Sequence, residues 1–194
     1  MMKSNLIQFF KHFIVAITFF AGVMASTYSF ATASLDSDIS NYAVSAGYIH
    51  GEGDVRGIKI ALQYHSDYLQ QYNSNLNLYF ETSVNFWEYG VENNYDSNFV
   101  LALSPVFEYQ FSEYKSNPIF VEFGIGVSLL DDTRFAGKNV STHYQFEDRL
   151  GIVMKFGKNK RDSIALRYLH YSNAGFKRPN PGLDFISLAY TAFL

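Results

Sequence analysis

The chain has 194 residues, with 15 Lys and Arg against 18 Asp and Glu and a formal charge of −3. This balance excludes the strongly basic surface that nucleic-acid binding requires. Cysteine is absent, which excludes disulfides and thiolate metal ligands and leaves stability to packing and polar pairing.

Residues 1–33 read as a secretory signal. Lys3 and Lys11 give a positive start, and no acid precedes Asp36. The apolar run FIVAITFFAGVMA covers Phe13 to Ala25, and Ala31-Thr32-Ala33 has the small-residue pattern of a cleavage site. The alternative is an uncleaved anchor, but the run is shorter than the roughly 20 residues that a spanning helix needs. Cleavage after Ala33 leaves a single domain, 34–194, and loss of Lys3 and Lys11 takes the charge from −3 to about −5. No further apolar stretch is long enough for a membrane helix.

From there the dominant pattern is alternation with a period of two, the signature of strands with unlike faces. Eight such segments are expected, near 39–50, 56–65, 76–88, 98–110, 118–130, 143–156, 162–172 and 183–194. Stretches rich in Gly, Asn, Asp, Ser and Pro separate them. The clearest is 119–129. Ile119, Val121, Phe123, Ile125, Val127 and Leu129 form one face, and Phe120, Glu122, Gly124, Gly126 and Ser128 form the other.

Two architectures bury one face of eight antiparallel strands. A soluble sandwich or lipocalin-like barrel turns the apolar face inward, and a membrane barrel turns it outward to lipid. The polar faces carry Lys59, Glu81, Glu108, Glu122, Glu147, Arg149 and Arg167, charges of both signs that can pair inside a narrow barrel. With the signal and the aromatic-tipped apolar faces, they favour an all-β, eight-stranded antiparallel transmembrane barrel. Two residues fit less well. Asp148 falls on the apolar face of its segment, implying either a bulge or a task. The chain ends Phe193-Leu194 rather than on an aromatic residue.

The seventh segment carries the candidate chemistry. Arg167 belongs inside, so Tyr168, His170 and Ser172 point outward, near the extracellular rim. Residues two apart on one face are about 6–7 Å apart along the strand. The next strand can bring Asp184 beside His170. Ser172 can then serve as nucleophile, His170 as its base and Asp184 as the acid that holds the imidazole. The plain alternative is a polar rim of the kind any barrel shows near lipid headgroups. The connection 173–182 offers oxyanion donors in the Asn173 side chain, the Gly175 N–H and Asn180. Lys177 and Arg178 can hold a phosphate or simply favour an anionic surface.

The run HYSNAGFKRPNPGLD, 170–184, resembles the signature of the outer-membrane lipid A 3-O-deacylases, the PagL family. EFGIGVSLL (122–130) and FEDRLGIVMKFG (146–157) resemble other blocks of that family. The resemblance covers most of the chain after the signal. It implies an eight-stranded outer-membrane barrel of a Gram-negative cell, hydrolysing the 3-O-linked 3-hydroxyacyl ester of lipid A in the outer leaflet. By matching positions it implies Ser172 as nucleophile, His170 as base and Asp184 as acid, with Asn173, Gly175 and Asn180 as oxyanion or substrate contacts. The family carries Glu more often at the acid position, and Asp is one methylene shorter. No cofactor or metal site is expected. The expected partners are lipid A or lipopolysaccharide and outer-membrane lipids, with pairing of two copies left open. An outer-membrane phospholipase and a non-catalytic structural or adhesive barrel are the alternative readings.

Overall fold

The computed structural model describes residues 40–91 and 94–194, so the expected signal, 1–33, lies outside the described residues. Eight strands close into one antiparallel barrel. They are β1 (Tyr42–Gly51), β2 (Arg56–Ser66), β3 (Leu76–Val91), β4 (Asn94–Tyr114), β5 (Asn117–Leu130), β6 (Tyr144–Phe156), β7 (Asp162–Ser172) and β8 (Leu183–Phe193). Each strand pairs with its neighbour in sequence, and β1 pairs with β8 to close the ring. Closure leaves no unpaired sheet edge, which is what lets strands cross lipid.

The alternation resolves into inside and outside. All seven charged residues read on the polar faces are buried, while Leu150 and Ile152 are each 55% exposed. Apolar residues outside and charges inside invert the soluble arrangement and suit a lipid surround. The interior charges pair across the lumen. Arg149 Nη2 lies 2.5 Å from Glu81 Oε1 and 2.9 Å from Glu147 Oε1, and Lys59 Nζ lies 2.8 Å from Glu147 Oε2. Arg167 Nε donates to Glu122 Oε1 at 2.5 Å, and the Tyr79 hydroxyl donates to Glu122 Oε2 at 2.9 Å.

Strand β4 runs further than the pattern in its side chains suggests, from Asn94 rather than 98 and on to Tyr114. Its first residues, NYDS, look like a loop, yet their backbones pair with Glu88 to Val91 of β3. Beyond the apolar band the outward face meets water, so strand pairing no longer demands apolar side chains there. At the other end a register shift between Gln110 and Ser112 interrupts the alternation.

The barrel's first strand and its last residue meet at one end, where the Leu194 N–H donates to the Tyr42 carbonyl at 2.9 Å. The connections 131–143 and 173–182 lie at the opposite end. Membrane barrels keep both termini on the periplasmic side and longer loops outside, which makes this the outer end. Connection 131–143 carries a small hairpin, Arg134–Phe135 with Lys138–Asn139, whose Phe135 is buried. Phe135 and Val140 join Trp87, Leu169, Tyr171, Leu183 and Phe185 in one apolar cluster inside the mouth. The Trp87 ring lies 4.5 Å from Phe185 and 4.8 Å from Tyr171. The outer mouth is therefore closed from within by packed aromatic side chains.

Asp148 sits in an unbroken register, opposite Ile125 of β5 on one side and His170 of β7 on the other. No bulge turns it inward. The acid faces outward because the alternation holds.

Candidate active site

The two strands that carry the candidate residues are anchored by their inward-facing neighbours. Leu169 and Tyr171 flank His170 in sequence, and Leu183 and Phe185 flank Asp184; all four are buried in the mouth cluster. The Tyr171 hydroxyl also donates to Glu147 Oε2 at 2.7 Å. Side chains locked on one face of a strand fix where the alternate side chains leave the other face.

On that outer face, His170 and Asp184 are direct register partners across β7 and β8. His170 Nδ1 lies 2.6 Å from Asp184 Oδ1, and both side chains are partly buried. An ionised carboxylate only accepts, so Asp184 favours the tautomer with the proton on Nδ1 and leaves Nε2 as the free base. The Tyr168 hydroxyl donates to the same Oδ1. Tyr168 is two residues before His170 on the same face and lies diagonally from Asp184, within reach of a long side chain. Its position was readable from the alternation, but its role depended on the β7–β8 register.

Gly182 seats the imidazole. Its φ is +71°, and a Cβ there would lie 2.5 Å from His170 Cε1. A side chain at 182 would meet both an unfavourable backbone region and the ring. The Gly182 carbonyl also accepts from Lys138 Nζ at 3.1 Å, and Lys138 forms an ion pair with Glu52. The hairpin over the mouth is thus tied to the connection that holds His170.

Ser172 lies on the same outward face, partly covered, opposite Phe146 of β6. Its hydroxyl makes no hydrogen bond among the described residues. Hydrogen bonds between a nucleophile and its base are often long or poorly aligned until substrate binds. On the other side of His170 from Asp184, Asp148 of β6 is its register partner, so both strands next to β7 place an acid opposite residue 170.

The three oxyanion candidates have different places. Asn173 is buried, and its side chain organises the turn. Its amide donates to the Val140 and Lys177 carbonyls at 3.0 Å each, and its Oδ1 accepts from the Gly175 N–H at 3.0 Å and the Lys177 N–H at 3.4 Å. The Asn173 side-chain amide is therefore engaged by one carbonyl from each of the connections 131–143 and 173–182, and the Gly175 N–H by Asn173 itself. Asn180 accepts from the Asn173 backbone N–H at 3.1 Å, which brings its side chain over the residue after Ser172. The Asn180 side-chain NH2 is the one donor group of the three that has no partner among the described residues.

The family model for Lipid A 3-O-deacylase (PagL) matches residues 56–192. The chain is 38% identical over 112 residues to "Lipid A deacylase PagL" of Pseudomonas aeruginosa, covering 58% of this chain and 62% of that protein. It is 44% identical over 72 residues to the Bordetella bronchiseptica protein of the same description, covering 37% of this chain and 39% of that protein. The chain thus aligns to less than two thirds of the length of these curated relatives. A crystal structure of the outer-membrane enzyme PagL superposes with a TM-score of 0.67 at 30% identity, covering 78% of this chain and 99% of that one. A designed transmembrane β-barrel, 9% identical with a TM-score of 0.51, shares the fold alone. From the match over 56–192, which includes every candidate residue of the site, the chain belongs to the lipid A 3-O-deacylase (PagL) family.

Proposed function

We propose that this chain is an outer-membrane lipid A 3-O-deacylase working through a Ser172–His170–Asp184 triad at the outer end of β7 and β8, after removal of a leader ending at Ala33. One observation carries the reading. The His170–Asp184 pair, 2.6 Å apart, shares with Ser172 the outward face of the barrel wall, the face that lies toward lipid in a membrane barrel. A site on the wall suits a substrate that is itself a membrane lipid and arrives by lateral diffusion.

In this mechanism His170 Nε2 takes the Ser172 hydroxyl proton as Oγ attacks the ester carbonyl. Asp184 holds the Nδ1 proton and supports the imidazolium that forms. The negative charge developing on the carbonyl oxygen meets the Asn180 amide. Gly175 would join it only by giving up its bond to Asn173 Oδ1, and Asn173 serves by holding the turn. His170 then returns its proton to the departing sugar oxygen. Water, activated by the same imidazole, releases the 3-hydroxy fatty acid from Ser172.

The test uses purified barrel in neutral detergent micelles, with release of 3-hydroxy fatty acid from lipid A as readout. The reading expects release by the wild type and none above background by Ser172→Ala or His170→Ala. Equal release by Ser172→Ala would remove the serine from the mechanism. Release of fatty acid from glycerophospholipid, with lipid A untouched, would make the protein a phospholipase.

A further inference from the structure

The outer end of the barrel is rich in acids. Glu52, Asp54, Asp131 and Asp132 lie in its connections, and Lys138, which also donates to the Gly182 carbonyl, is already paired with Glu52. Connection 173–182 differs, because Lys177 and Arg178 are adjacent and exposed and form no ion pair among the described residues. Their backbone is held in place. Asn173, the residue after Ser172, bonds both the Lys177 N–H and its carbonyl, and Ser141 Oγ donates to the Pro179 carbonyl at 2.6 Å. Two adjacent unpaired cations are thus held by their backbone on either side, a few residues from the proposed nucleophile, in a connection that carries no acid; Arg56 and Arg134, the other exposed cations of this end, lie in other segments.

The substrate's own chemistry supplies a matching group. In lipid A the 3-O ester stands on a glucosamine that carries a phosphate at its anomeric carbon. Guanidinium and ammonium groups favour phosphate through charge-assisted hydrogen bonds, and the acids Glu52, Asp54, Asp131 and Asp132 disfavour it beside them. Resting on the triad reading above, we infer that Lys177 and Arg178 bind the anomeric phosphate of the sugar whose 3-O ester Ser172 attacks. Held there, that phosphate sets which face of the disaccharide turns toward Ser172 and so selects position 3 over the ester of the distal sugar.

The experiment compares kcat/KM for 1,4′-bisphosphorylated lipid A and for the form lacking the anomeric phosphate, in neutral micelles so that no anionic surface contributes. The wild type is expected to prefer the bisphosphorylated form by about ten- to a hundredfold, the range a charge-assisted contact gives. In the double variant Lys177→Gln, Arg178→Gln that ratio collapses toward one. The charge-retaining double variant Lys177→Arg, Arg178→Lys keeps most of it, and rising salt erodes it in the wild type. A wild type without preference, or a glutamine variant that keeps the full ratio, overturns the phosphate assignment; either result, with Ser172→Ala inactive, leaves the triad standing. An active Ser172→Ala would instead bring down the triad reading on which this inference rests.

Discussion

His170 and Asp184 face one another across the β7–β8 ladder as direct register partners, with Nδ1 2.6 Å from Oδ1. The short aspartate reaches the ring because the two backbones are adjacent; no connecting loop has to carry it. Replacing Asp184 with Asn leaves the shape but offers an amide that can favour the wrong imidazole tautomer. Turnover should fall by about a hundred- to ten-thousandfold with little change in KM. Asp184→Glu, which restores the carboxylate, should recover much of the rate. Steady-state kinetics on the three proteins decides it, and an Asn variant with normal kcat would exclude Asp184 from the triad.

Tyr168 shares Asp184 Oδ1 with the imidazole. Tyr168→Phe removes only the hydroxyl. A roughly tenfold loss of kcat is expected, the lower end of what one hydrogen bond to a charged group gives, because this bond is exposed. In an Asp184→Asn background the same change should cost little more, because both act through one carboxylate. Additive losses would mean that Tyr168 acts elsewhere.

Gly182 permits the ring to lie where it does. Gly182→Ala places a methyl 2.5 Å from His170 Cε1 at a φ of +71°. The ring or the connection must move, and a displacement on the order of 1 Å costs about a hundredfold in rate. Gly182 lies outside the strands, so the barrel should still fold and run as a compact, heat-sensitive species on gels. A fully active alanine variant would show that the ring position is not critical.

Inside the barrel, Arg149 stands between Glu81 and Glu147. Arg149→Met leaves those acids with Lys59 as their remaining ion-pair partner. Loss of one member of a buried network costs about 3–5 kcal/mol. Urea unfolding of the barrel in lipid vesicles reads this directly. A midpoint equal to the wild type's would mean the lumen charges add little.

Much of this was legible in the chain because the period of two carries two facts at once. It marks strands, and once Arg167 is assigned inward it sends His170 and Ser172 outward. The same logic set Asp148 outward, although whether a bulge intervened there needed the unbroken ladders on both sides of it. Register between strands is a tertiary property, so the Tyr168–Asp184 bond, the place of Asp148 beside His170 and the Gly182 contact were not readable from spacing. The proposed oxyanion donors were the least legible. Asn173 and Gly175 have suitable groups for that task, but the turn uses those groups to hold itself together. The mouth plug escaped for a related reason. Phe135 and Val140 lie in a polar connection with no periodicity, and only folding back over Trp87 makes them core.

The central claim is that Ser172 cleaves the 3-O ester of lipid A. Mass spectrometry of lipid A from cells expressing the wild type, beside cells expressing Ser172→Ala at equal levels of folded barrel, tests it most directly. The account predicts loss of one 3-hydroxyacyl group from position 3 with the wild type and intact lipid A with the variant. The same loss in both would contradict the role of Ser172, and intact lipid A in both would contradict the deacylase activity itself.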